Sequence, residues 1–213
     1  MTQLDPANPF AAPSTLPYGL PPFAEIRDEH YEPAFEAGMA EQLAEVRAIV
    51  EQAAPPTFAN TLEALERSGQ VLERVSTVFF TVASADSTPF TDELEERLAP
   101  RLAAHADAIM LDAGLYARVS AVHASRGALT PEQRYLTERR HIEMTLAGAG
   151  LGENAKAELR ELNQRLSSLT TRFEKNLLAD TNDLAVHITD ERELDGLDAG
   201  ERSAARQAAA DRG

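Results

Sequence analysis

Histidines and carboxylates are the side chains of this sequence with the most obvious chemical potential. Five histidines occur: His30, His105, His123, His141 and His187. A zinc peptidase helix would place two of them in a His-Glu-x-x-His run, which puts both imidazoles on one face with a glutamate base beside them. No such run exists. In His141-Ile142-Glu143 the acid falls one place late, and no second histidine follows on that face. Glu138 and His141 do show the Glu-x-x-His spacing of helical di-iron sites. Those sites need a second such pair and two more inward glutamates, and no second pair is present. The expectation for Glu138 and His141 is therefore a surface helix with a partly buried imidazole. His30, within Asp28-Glu29-His30-Tyr31-Glu32, suggests a carboxylate–histidine cluster. It is equally the composition of a solvated first helical turn, with acids at the positive end of the dipole, and that is the expectation here.

The remaining chemistry is excluded rather than weighed. Cysteine is absent, which removes thiolate catalysis, disulfides and every Cys-ligated metal site. No Gly-x-Ser-x-Gly elbow occurs. Gly148-Ala149-Gly150-Leu151-Gly152 follows a helical stretch rather than a strand, so it marks a helix stop and not a dinucleotide loop. No residue of this sequence is assigned as catalytic, cofactor-binding or metal-ligating.

What would position such groups is almost all helix. Six of the 12 prolines lie in the first 22 residues, so residues 1–27 form an extended arm. Its apolar Phe10, Leu16, Tyr18, Leu20 and Phe23 expect a folded body to lie against. Apolar residues at steps of three and four then predict helices near 28–52, 58–84, 91–124, 130–147 and 153–180 within one helical domain, 28–182. Pro33 fits the first of these only if it lies in the opening turn. Asn60 and Glu63 suggest a capping box for the second, and Gly69, on its apolar stripe between Leu65 and Leu72, suggests close approach by another helix. Thr91 is the expected cap of the third, Pro100 its expected kink, and Asp112 to Gly114 a turn within the span. Thr130-Pro131-Glu132-Gln133 opens the fourth, which carries Leu136, Ile142 and Leu146. Leu159, Leu162, Leu166, Leu169, Phe173 and Leu177 form the stripe of the fifth and predict core. Residues 183–213 comprise a short linker, weakly alternating to Ile188, and terminal helices capped by Asp190 and Asp198. The fold class is all-α.

Charge bounds the partners. The sequence has 213 residues, with Lys plus Arg at 20 against Asp plus Glu at 35, a net charge of −15. Such a field repels phosphate backbones and anionic lipid, which argues against nucleic acid and membrane surfaces. No run approaches the ~20 apolar residues of a membrane span, and MTQLDPANPF is not a secretory leader. The expected setting is the cytoplasm.

Several stretches together resemble one family. They are Asn8-Pro9-Phe10, Leu20-Pro21-Pro22-Phe23-Ala24-Glu25-Ile26, Glu29-His30-Tyr31-Glu32-Pro33-Ala34-Phe35-Glu36-Ala37-Gly38-Met39, and Pro55-Pro56-Thr57-Phe58-Ala59-Asn60-Thr61. Ala64-Leu65-Glu66-Arg67-Ser68-Gly69 and the run from Leu162 to Asn176-Leu177-Leu178-Ala179-Asp180-Thr181-Asn182 complete the set. In order and spacing they are similar to the N-terminal region of the zinc oligopeptidases, the family of thimet oligopeptidase and oligopeptidase A, and most of all to its bacterial peptidyl-dipeptidase branch. The resemblance implies a mostly helical protein with two lobes about a deep channel, acting on short peptides and releasing C-terminal dipeptides. It implies zinc in the parent enzyme, bound by a His-Glu-x-x-His helix and a later Glu in the C-terminal half. Those ligands, the general-base Glu and the late Tyr and His donors have no counterpart in this sequence. The expectation is an N-terminal piece that ends before the catalytic half, forms part of the channel wall, binds no zinc itself and is inactive alone. Its partner would be the C-terminal catalytic region of the same chain, with weak self-association where apolar surface is left uncovered. The other reading is a stand-alone acidic helical interaction module.

Overall fold

The structure is a computed structural model and describes residues 4–212. The first three residues of the expected arm and the final Gly213 lie outside the described residues. Among the described residues there are helices and turns but no strand. The α-helices are α1 (Asp28–Val50), the one-turn α2 (Ala64–Glu66), α3 (Gln70–Ala85), α4 (Pro89–Met110), α5 (Ala113–Ala124), α6 (Pro131–Ala147), α7 (Glu153–Asp183) and α8 (Ala199–Arg212). A π-helical turn, Phe58–Glu63, runs into α2.

The helix starts follow from side chains that satisfy otherwise unpaired amides. The Thr130–Gln133 box opens α6, with Thr130 Oγ1 accepting from the Gln133 amide at 3.3 Å. Two caps fall three residues earlier than the boxes the sequence suggests. Thr57, not Asn60, caps the π turn, and Asn60 closes the box by accepting from the Thr57 amide at 2.8 Å. Thr88, not Thr91, caps α4, because Pro89 is pre-set for the first helical position. Pro33 lies in the second turn of α1 rather than the first, since the Arg27 amide is already capped by His30 Nδ1 at 3.0 Å. The ring therefore cannot donate to the Glu29 carbonyl. α4 runs on through Pro100. The span expected at 91–124 divides at Asp112, whose carboxylate accepts from the Leu115 amide at 2.6 Å and starts α5.

The span expected at 58–84 also divides, between α2 and α3. Gly69 is not inside a helix. It has φ 78° and precedes α3, with its amide donating to Glu45 Oε2 at 2.8 Å. α1 does approach it closely, since a Cβ on Gly69 would lie 2.5 Å from the Gln42 side chain, and the closest backbone approach is at Gly38 of α1. A Cβ there would lie 2.7 Å from the Leu72 backbone nitrogen. Glycine is what lets α1 and α3 meet backbone to backbone.

By its internal contacts the chain divides into two units, Met1–Thr171 and Arg172–Gly213. The first holds two apolar cores, and α1 contributes to both. Its first half supplies Tyr31, Phe35 and Met39 to a core with Val75 and Phe79 of α3 and Leu94 and Leu98 of α4. Its second half supplies Val46 and Ile49 to a core with Leu62, Leu115, Val119 and Met144. The arm joins the first core through turns rather than as one extended run. Phe10 is buried against Tyr31 with ring centroids 5.6 Å apart, and Arg74 donates to the Phe10 carbonyl at 3.0 Å. In the second unit, the end of α7 is followed by a 3-10 turn, Glu191–Leu194, capped by Asp190, and by α8. Asp198 and Glu201 cap α8 reciprocally, at 2.8 and 2.9 Å. No described residue of this unit is buried.

Candidate functional site

Of the five histidines the fold brings His123 and His141 together, while His30 and His105 stand apart from them, on α1 and α4. His30 is the third residue of α1, and its Nδ1 accepts from the amide of the N-cap residue Arg27. It borders a cleft of about 480 Å3 between the arm and α1, together with Asp5, Glu29 and Glu36. His105 is buried on α4 and its Nε2 meets Gln42 Oε1 at 2.6 Å. That geometry fits the neutral ring donating to the amide oxygen. Burial holds its pKa below the usual histidine range.

Glu138 and His141 do not converge. The Glu138 carboxylate takes Arg126 Nε at 3.0 Å. His141 instead lies between two rings, 4.2 Å from His123 and 5.5 Å from Tyr116, stacked on both. The Tyr116 hydroxyl also bonds Thr145 at 2.9 Å. The stack packs α5 on α6. His123 is held below the usual histidine pKa, first by burial and then by the nearby His141 and Arg126, with Glu138 pulling the other way. His187 is exposed, beyond the end of α7.

A zinc ion needs three or more such donors converging on one point. Among the described residues no group of three or more His, Asp or Glu side chains is placed to hold a metal ion. These residues do not fit the zinc that the resemblance implies for a parent enzyme, and no reaction step is derived through it.

Sequence reasoning missed Arg118, which is buried on α5. Its guanidinium donates to the Gln52 and Ala54 carbonyls at 3.3 Å and to Asn60 Oδ1 at 3.1 Å, tying the Pro55-Pro56 loop to the second core. The available signal was its position, three residues after Leu115 on the face of Val119 and Val122. Lys156 is likewise buried, with Nζ at 3.2 Å from Glu153.

The largest departure concerns α7. Beyond the half-buried Leu159, its stripe is not core. Leu162, Leu166 and Leu169 are exposed in the first unit, and Phe173 and Leu177 in the second. On α6, Ile142 and Leu146 are exposed too, and Thr137 and Met144 are buried instead. The three-four spacing correctly marks an apolar face, but nothing among the described residues covers it.

The fold defines a class: an all-α region of packed helices with an uncovered apolar face among the described residues. Comparison with known proteins narrows this. The chain is 39% identical over 208 residues to dipeptidyl carboxypeptidase of Escherichia coli K12, a match covering 97% of this chain but 30% of that protein. It is 27% identical over 196 residues to oligopeptidase A of the same organism, covering 91% of this chain and 29% of that protein. With oligopeptidase A of Haemophilus influenzae it shares 28% identity over 200 residues. No family model matches the chain. The chain thus spans less than a third of the length of these relatives, and it is their N-terminal portion that is matched. It fits the N-terminal region of the dipeptidyl carboxypeptidase and oligopeptidase A family of peptidases. No helix of the described residues is long and apolar enough to cross a membrane.

Proposed function

We propose that this chain is the N-terminal helical region of a zinc-dependent peptidyl-dipeptidase, and that it forms part of that enzyme's substrate-channel wall. Bond cleavage then belongs to polypeptide outside these 213 residues. The observation that carries the reading is the match of 97% of this chain to 30% of a dipeptidyl carboxypeptidase. The uncovered face of α7 supports it. Leu162, Leu166 and Leu169 sit at helical spacing in water, and each such side chain gains roughly 1.5–3 kcal/mol when buried. A face of this kind is made to be covered. In this reading the catalytic region of the same polypeptide covers it and holds the zinc.

The wall acts by exclusion: it admits short flexible peptides and keeps folded proteins from the reacting centre. The working compartment is the cytoplasm. The isolated chain, with its apolar face exposed, associates weakly with itself. The test is direct. The purified 213-residue chain, given zinc and a short peptide, is expected to release nothing, while a polypeptide of the relatives' length releases C-terminal dipeptides. Reproducible metal-dependent release by the short chain would overturn the proposal.

A further inference from the structure

After Leu184, whose amide still donates to the Asp180 carbonyl at 2.9 Å, the chain passes through Ala185, Val186, His187, Ile188 and Thr189 to the 3-10 turn at Glu191–Leu194 without regular structure. Apolar residues there recur at every second position, the period of a strand, whereas the helices before and after follow steps of three and four. Val186, Ile188 and Thr189 are β-branched, the type that favours a pleated chain. The three apolar side chains point into water, with Leu184 79%, Val186 85% and Ile188 44% exposed. The amides from Ala185 to Thr189 donate to no other described residue. A strand is completed only by a neighbour, and among the described residues there is no strand to serve.

We propose that residues 184–189 are a β-strand whose partner is an extended segment of the polypeptide that follows Gly213 in a chain of the relatives' length. The inference rests on reading this chain as the N-terminal region of a longer peptidase. Two observations select this occupant. The chain covers 30% of the dipeptidyl carboxypeptidase it matches, so most of a polypeptide of that length lies outside it. A second copy is the weaker candidate, because a net charge of −15 on each copy keeps any self-association weak. The partner segment has a free backbone edge and alternating apolar side chains. It shares with Leu184, Val186 and Ile188 the covered face of the sheet, and Ala185, His187 and Thr189 face the other way.

Hydrogen exchange resolved over residues 183–190 tests this in the full-length polypeptide and in the 213-residue chain. The expected result is at least ~100-fold slower exchange of these amides in the long polypeptide and little protection in the short chain. In the long polypeptide, Val186→Asp should abolish that protection and His187→Asp should leave it within a few-fold. If Val186→Asp prevents folding, Val186→Thr, of similar shape, should still lower protection more than His187→Asp. Unprotected amides in a long polypeptide that releases dipeptides would overturn the strand alone. Equal loss from Val186 and His187 substitutions would do the same by removing the two-fold face. Protection that appears in the short chain as its concentration rises would make the occupant a second copy and overturn the assignment. A long polypeptide that protects these amides but releases no dipeptide would instead sink the peptidase reading. A reading frame that stops after Gly213 would sink both.

Discussion

The first unit, ending at Thr171, buries Phe35, Phe79, Leu94 and Leu98 completely, whereas no described side chain from Arg172 onward is buried. Both units are helical, and both carry apolar residues at helical spacing. The difference is that α1, α3 and α4 have each other, while the second unit shows caps and local hydrogen bonds. Asp198 and Glu201 cap α8, and the Arg202 guanidinium donates to the Leu194 and Leu197 carbonyls at 2.9 and 3.0 Å. Caps are worth roughly 1 kcal/mol each, and isolated helices shorter than ~12–15 residues are marginal in water. The comparison separates helices that a core holds from helices that wait for one.

The sharpest way to break that comparison is to truncate one aromatic in each unit. Phe79→Ala empties a site inside the first core, in edge contact with Phe35 at 5.5 Å and Tyr31 at 5.2 Å. It should cost about 3–5 kcal/mol. Phe173→Ala removes a ring that is 67% exposed, and should cost less than ~0.5 kcal/mol in the 213-residue chain. Urea unfolding of both variants measures this. A large loss from Phe173→Ala would mean that the α7 face is covered after all.

Gly38→Ala probes how the first unit is closed. Its Cβ would fall 2.7 and 2.8 Å from the backbone nitrogen and Cα of Leu72, which cannot rotate away. α1 and α3 must move apart, at about 1–3 kcal/mol. A shift in the denaturant midpoint with an unchanged slope is the expected signature. No change would show that the two helices have room to part.

Much of this fold was legible because helix periodicity and caps are local. Thr130 with Gln133, and Asp190 and Asp198, act where the sequence places them. The boundary errors share one cause. Thr57 and Thr88 outcompete the later Asn60 and Thr91, which become the third residue of each box. Gly69 is met by α1 as its position suggests, but the approach at Gly38 was not legible, because backbone approach is a tertiary fact: Leu72 meets Gly38 across 34 positions. Burial was the least legible property. Periodicity identifies the apolar face of α7 but cannot say whether the same chain supplies its cover. Of the residues weighed for chemistry, the sequence anticipates a helix-opening His30 and a packing His141. It is silent on Arg118, whose partners lie at Gln52 and Ala54 and in the π turn, more than 50 residues away.

A smaller effect distinguishes the units by pH. His105 belongs to the first unit, with Nε2 bonded to Gln42 and Nδ1 buried without a partner. Burial depresses its folded pKa below the ordinary value of 6.5. The unfolded chain therefore takes up the proton first as pH falls. The contribution is complete above about 6.5 and is lost progressively from there down to the folded pKa. His123 adds a slope of the same sign. His105→Gln, which can still donate to Gln42, should flatten the fall in stability between about pH 7 and 5, as followed by urea midpoints across that range. An unchanged pH profile would place the sensitivity elsewhere.

The least effect is expected where the first unit looks most heavily bonded. Arg97 and Arg101 of α4 reach Glu32 and Glu36 of α1 at 3.2, 3.7 and 2.9 Å, forming a ladder of ion pairs between two helices. All four side chains remain between about two-fifths and three-fifths exposed, so water screens the attraction and ordering the long side chains offsets much of the gain. Glu32→Gln should cost less than about 1 kcal/mol, and less again in 1 M salt, where the Debye length falls to ~3 Å. Phe35 lies on the same helix, wholly buried, and its truncation should cost several times more at either ionic strength. If Glu32→Gln matched Phe35→Ala, charge rather than burial would hold α1 to α4, and the contrast between a cored unit and an uncored one would lose its physical basis.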